Sequence, residues 1–217
     1  MFIGHWAPAF LAAAVAPRAP KLGTLFIAGQ LVDWAFFGLT IAGVEKMRIE
    51  PGATAMNSMD LYHMPYTHSL LGSAAWAMLF AAVLLIWRRD MLAAAIGGFV
   101  VLSHWFLDLL VHRPDLTLAG APPKLGFGLW NYPLVEIPLE LALIGACFAL
   151  YLRNTKGPVG PPVVLLVVLL ALQAFNWFAP EPEVWSIAVP LLGFVGFGLP
   201  TLLAVWVGST RRHRRSV

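Results

Sequence analysis

The chain has 217 residues, of which 59% are hydrophobic and only 12% charged, and its mean hydropathy is +0.77. Soluble domains carry about 25% charged residues, so the composition excludes an ordinary soluble domain and indicates a single integral membrane domain over residues 1–217. The net charge of +3 sits in short basic clusters at the ends of apolar runs, which gives no nucleic-acid-binding pattern; the single cysteine, Cys147, excludes an internal disulfide and reads as a buried thiol.

In chain order, the first apolar segment, residues 2–17, is short for a span, which takes about 20 residues. It is expected to form a tilted or re-entrant helix. His5, Trp6 and Pro8 interrupt it, and Arg18 and Lys21 follow it instead of preceding it, so it is expected to be retained and not removed as a signal peptide. Six longer stretches, near 22–44, 67–87, 91–112, 130–152, 161–178 and 184–207, fit or nearly fit a span. The expected fold is all-α, a polytopic transmembrane helical bundle with a short N-terminal apolar helix. Its motifs lie in residues 1–140, its last spans in 161–207, and its basic tail in 208–217.

Basic clusters choose the orientation. Arg18 with Lys21, Arg88 with Arg89, Arg153 with Lys156, and Arg211, Arg212, Arg214 and Arg215 all fall on one side of six spans. That side is expected to be cytoplasmic, in a bacterial-type inner membrane. The opposite loops are 45–66, 113–129 and 179–183. His5, Asp33, His63, His68, His104, Asp108, His112, Glu136 and Glu140 then lie toward the extracytoplasmic half; His213 lies in the basic tail. Ionisable groups at bilayer depth are rare and usually functional, and imidazole with carboxylate suits divalent metals.

The strongest local signal is Ser103-His104-Trp105-Phe106-Leu107-Asp108, followed by His112. Four-residue steps displace neighbours by about 40° and about 6 Å along a helix, so His104, Asp108 and His112 form one polar stripe. Glu136 and Glu140 repeat the spacing on the next span, flanked by Pro133 and Pro138; one is expected to act as a base, and which one stays open. His63 and His68 bracket the start of the second span, with Thr67 as the expected N-cap. Asp33 has no basic residue in its own span, and a metal shared with His5 supplies a partner. Asn131 is expected to cap or hydrogen-bond locally, Gln173 and Asn176 to hydrogen-bond between helices, and Gly97, Gly98, Gly193, Gly196 and Gly198 to allow close packing. Phosphate-loop, nucleophile-elbow, zincin and Cys-x-x-Cys motifs do not occur.

Gly4-His5, Asp33, His63 to Ser69, and Ser103-His104 to Asp108 resemble, in order and spacing, the LexA-regulated inner-membrane metal-dependent hydrolase family, and more remotely zinc-dependent phospholipase C. The resemblance covers residues 1–140. It implies a helical membrane hydrolase with one or two divalent ions, zinc foremost, and a phosphoester substrate. Met64 and Pro65 stand where the family has Arg-Gly, which removes a candidate clamp on phosphate oxygens. Ala35 follows Trp34 where family members often carry a second Asp, a candidate metal ligand.

The expected function is a metal-dependent hydrolase with His5, Asp33, His63, His68, His104, Asp108 and His112 as metal ligands and Glu136 or Glu140 as base. Membrane lipid is its environment and a possible substrate; the sequence does not give its oligomeric state. Two alternatives remain open: a proton- or metal-coupled transporter, which needs access from both faces, and a non-catalytic scaffold with a closed structural metal site.

Overall fold

The computed structural model describes residues 1–214; Arg215 of the basic tail lies outside the described residues. A 3-10 turn, Ile3–Trp6, runs into helix α1, Ala7–Val15. Six helices among the described residues are long and apolar enough to cross a membrane: α2 Leu22–Ile41, α3 Leu70–Arg88, α4 Met91–Val111, α5 Pro133–Asn154, α6 Gly160–Phe178 and α7 Ala188–Thr210. The membrane-spanning all-α bundle expected from the sequence is the architecture observed. The basic segment begins later than expected, because α7 continues through residue 208 to Thr210.

Local chemistry sets the helix boundaries. Asp90 starts α4 by accepting the Ala93 N–H at 3.1 Å. This bond, together with the Arg18 guanidinium, holds its carboxyl below the ordinary carboxylate range. Ser69 caps α3 by accepting the Gly72 N–H at 2.9 Å. The cap is therefore two residues later than the expected Thr67, whose hydroxyl is engaged elsewhere. Pro133 opens α5, where a missing N–H removes no helical bond. The helices are apolar all round, as lipid-facing helices are, and small residues mark where they touch. A Cβ on Gly98 would meet the Ala77 carbonyl at 3.1 Å, so glycine lets α3 and α4 close on each other.

The N-terminal segment is folded into the bundle. Ile3, His5, Trp6, Ala7, Ala9 and Phe10 are essentially fully buried. Phe10 packs edge-on against Phe26 of α2 and Phe148 of α5, with ring centroids 5.2 and 5.5 Å away. A helix that starts inside a bilayer leaves its first N–H groups without partners. Here, side chains of two spans satisfy them. Glu140 Oε1 accepts from Phe2 N at 2.7 Å and Gly4 N at 2.8 Å, and Gln173 Oε1 accepts from Ile3 N at 3.2 Å.

Two ends of the bundle are distinguished by what joins there. At one end Arg18 pairs with Asp90 at 2.9 Å. There also strand β5 (Thr155–Lys156) pairs antiparallel with strand β6 (Arg212–His213). Arg211 donates to the carbonyls of Gly157 and Pro158 at 2.7 Å each, beyond the C-terminus of α5. The basic clusters expected on one side thus gather at one end. At the other end, the loops read as plain connections carry short strands numbered before these: β1 Lys46–Ile49 with β2 Met59–His63, and β3 Leu116–Thr117 with β4 Lys124–Leu125. Ser58 of the first hairpin bonds to Glu181 of the α6–α7 loop, which places that loop over the same end.

Candidate metal centre

Four pieces of chain bring six ionisable side chains together in the half of the bundle away from the basic end. Helix α4 supplies His104 and Asp108 from its buried face. His112 follows at its C-cap, where its N–H still reaches the Asp108 carbonyl at 2.8 Å. Asp33 comes from α2, His68 from the turn just before α3, and His5 from the 3-10 turn. His5 can reach this position because residue 29 is glycine: a Cβ there would meet the His5 carbonyl at 2.7 Å. The His5 ring stacks on His104, with centroids 3.7 Å apart.

Asp33 Oδ1 lies 3.3 Å from His68 Nε2 and 3.5 Å from His104 Nε2. Asp108 Oδ2 lies 3.5 Å from His68 Nε2 and 3.0 Å from His104 Nε2. A four-coordinate ion with bonds of about 2.0–2.1 Å sets its ligands about 3.3–3.4 Å apart. Three of these contacts, at 3.3–3.5 Å, lie close to that spacing, and the Asp108–His104 contact is shorter. The other Asp108 oxygen, Oδ1, lies 3.0 Å from His5 Nε2 and 3.6 Å from His112 Nε2. Three overlapping groups can hold a metal: His5, His104 and Asp108; Asp33, His68 and His104; and His68, Asp108 and His112.

Despite these short approaches, both His5 nitrogens, His104 Nε2 and Asp108 Oδ2 are buried without a hydrogen-bond partner among the described residues. Their spacing fits a hydrogen bond, but their angles do not. Buried polar groups are seldom left unmatched, and His and Asp atoms clustered this closely have the spacing of metal ligands.

The far side of three of the four imidazoles is fixed in turn. His104 Nδ1 is 3.0 Å from the Gly29 carbonyl, His112 Nδ1 is 2.9 Å from Asp115 Oδ1, and His68 Nδ1 is 2.8 Å from Thr67 Oγ1. Thr67 donates to Glu45 Oε2 at 2.6 Å, and Glu45 Oε1 also accepts the Tyr66 and Thr67 N–H groups. The Nε2 atoms of His68, His104 and His112 are thereby left to face inward. Such outer partners fix ring orientation, and losing one typically costs 10–100-fold in metal affinity. Thr67→Val is therefore expected to weaken metal binding by about 10–100-fold while leaving the helical content unchanged. Competition against a calibrated chelator, with circular dichroism as the fold control, checks it.

Of the sequence candidates, His5, Asp33, His68, His104, Asp108 and His112 come together. His63 does not: it is exposed on β2, opposite Lys46 in the hairpin, and belongs to none of the three groups. Its ligand assignment is corrected because the last two residues of β2, Tyr62 and His63, are both exposed. The paired acids also divide. Glu140 accepts from two backbone N–H groups and from Gln173 Nε2 at 3.0 Å, so it anchors the N-terminal segment and has no free oxygen for a base. Both Glu136 oxygens are buried without a hydrogen-bond partner among the described residues. Glu45 and Asp115 were not anticipated, since both lie in loops that read as outer connections. The His112-x-x-Asp115 spacing is the one trace of either in the sequence. Asn131 makes no helix cap and its bond is not local: it accepts the N–H of Ala55, 76 residues earlier in the chain, at 3.3 Å.

The cluster borders a cavity of about 500 Å³. His5, Asp33, His68, Asp108, His112, Glu136 and Glu140 line its polar end. Asp33, its side chain 20% exposed, is the most open of the six; His5, His68, His104, Asp108 and His112 have side-chain exposures of 3% or less. Comparison with known protein families, with curated proteins and with solved structures found no match for this chain.

Proposed function

We propose that this chain is a metal-dependent hydrolase of a bacterial-type inner membrane, cleaving a phosphoester in a lipid or similar substrate on the extracytoplasmic side. The observation that carries this reading is the unpaired donor set of His5, His104 and Asp108 beside a cavity that also holds the unpaired Glu136. A closed structural site would have no reason to adjoin a chamber of that size. The orientation follows from the basic clusters at the opposite end of the bundle.

Two imidazoles and two carboxylates, His68, His104, Asp33 and Asp108, suit zinc, with His5 and His112 available to complete one or two sites. When bound, the ion would polarise the phosphoryl oxygen and acidify water toward pH about 7. Asp33 is the side through which substrate meets the cluster, because the other five members are enclosed. Glu136 takes the proton of the attacking water. The water oxygen bonds to phosphorus, the phosphorus–oxygen bond to the alcohol breaks, and the proton held by Glu136 passes to the departing alkoxide. Glu140 and Gln173 hold His5 in register through the backbone of residues 2–4.

A carrier needs a polar route to both faces. Below the cluster, Phe10, Phe26, Phe148 and Tyr151 pack ring against ring, which favours a one-sided enzyme. Zinc-loaded protein in detergent is expected to hydrolyse bis(p-nitrophenyl) phosphate. Glu136→Gln is expected to lower kcat by about 10²–10⁴-fold, the usual contribution of general acid–base catalysis, with metal content unchanged. Undiminished turnover in Glu136→Gln would remove it as the base.

A further inference from the structure

We infer that the apolar arm of the cavity is a slot for one hydrocarbon chain of an anionic amphiphile, filled from the bilayer side. The inference rests on the hydrolase reading for the head of the substrate, and on the cavity alone for its chain.

The cavity is continuous, but its chemistry changes along its length. Beyond Asp33, its walls are Phe36 and Phe37 of α2, Phe175 of α6, and Leu192, Val195 and Phe197 of α7. Phe175, Leu192 and Val195 are 59%, 56% and 66% exposed, so the same side chains that line the cavity also border lipid. Toward water the cavity is roofed. Ile49, Met56 and Met59 of the first hairpin region line it, and the Ser58–Glu181 bond joins that region to the α6–α7 loop. Access therefore differs between the two directions: covered toward water, and bordered by exposed apolar side chains toward the bilayer.

A soluble phosphoester would leave the arm unmatched, whereas two chains would exceed it, since cavities of about 300–1,000 Å³ accommodate a single drug-sized molecule. An occupant with one chain along α7 and an anionic head at Asp33 and His68 satisfies both ends. Gly193 and Gly196 give the arm its width. A Cβ on Gly193 would collide with the Phe37 ring, whereas one on Gly196 would meet only Phe2, at 3.6 Å. Gly196 can therefore accept a side chain that fills the arm while the metal ligands stay in place.

The test uses zinc-loaded full-length protein in phosphatidylcholine nanodiscs with hexadecyl phosphate bearing a diazirine at the chain end. Photolabelling is expected to concentrate at least tenfold on the 175–197 region over the lipid faces of α3 and α4. Gly196→Phe should abolish that excess without altering zinc content. The uncharged analogue, hexadecanol with the same diazirine, should label the slot at least tenfold less. Labelling spread evenly around all six helices overturns the slot whether or not Gly196→Phe folds, and equal labelling by the alcohol overturns the anionic head. Hydrolysis of the soluble diester without slot labelling retains the enzyme and rejects the slot. Slot labelling without any hydrolysis does the reverse.

Discussion

Asp108→Ala protein is expected to lose its metal and, with it, all hydrolysis. Both oxygens of Asp108 face imidazoles: Oδ2 toward His104 and His68, Oδ1 toward His5 and His112. Removing it takes a ligand from both halves of the cluster at once. The effect should exceed the 10–100-fold typical of a lost outer partner. The fold should survive, because the lost group is a charge surrounded by imidazoles and the α4 backbone is intact. Elemental analysis after dialysis against buffered zinc checks it, with Thr67→Val as an intermediate. Stoichiometric zinc in Asp108→Ala would show that the ion lies elsewhere.

Glu140→Ala is expected to cause the largest loss of stability. Its carboxylate satisfies the N–H groups of Phe2 and Gly4 and the amide of Gln173. Each donor stranded in this way costs about 1–3 kcal/mol, so the total comes to roughly 3 kcal/mol or more. For a chain of this size that lowers Tm by about 6–12 °C. The N-terminal turn should also loosen, carrying His5 out of the cluster and weakening metal binding. Glu136→Gln is the contrast: its oxygens accept no bond from the described residues, so Tm should hold or rise while turnover collapses. Thermal unfolding of both variants in one detergent separates the anchor from the base. Equal losses of Tm would contradict the division of roles.

These two acids show where sequence reading stops. Glu136 and Glu140 share one helix face, which continues downward through Ile144, Cys147, Phe148 and Tyr151 as core. The four-residue spacing made that shared face legible. It could not reveal that Glu140 meets the free N–H groups of a segment 136 residues earlier in the chain. Long apolar runs made the six spans equally legible, and the His104–Asp108 step placed both side chains on the buried face of α4. His63 fails as a candidate because the loop that carries it folds into the hairpin β1–β2. Burial along β2 does not alternate: Asp60 and Leu61 are buried while Tyr62 and His63 are exposed, so a hairpin this short leaves little periodic signal. Glu45 and Asp115 failed for a related reason. They act on His68 and His112 from loops whose path depends on β1–β2 and β3–β4, and tertiary folding alone brings them there. The N-terminal segment was correctly too short to span. Its burial against α2, α4 and α5 depends on Gly29, Trp6 and Phe10, and those contacts become visible only in three dimensions.

X-ray absorption at the zinc edge of zinc-loaded protein tests the metal centre most directly. A His/Asp site predicts a nitrogen and oxygen shell at about 2.0–2.1 Å, with outer scattering from at least two imidazoles that diminishes in His104→Ala. A shell containing sulfur, a hydrated ion without imidazole scattering, or a spectrum unchanged in His104→Ala would contradict it.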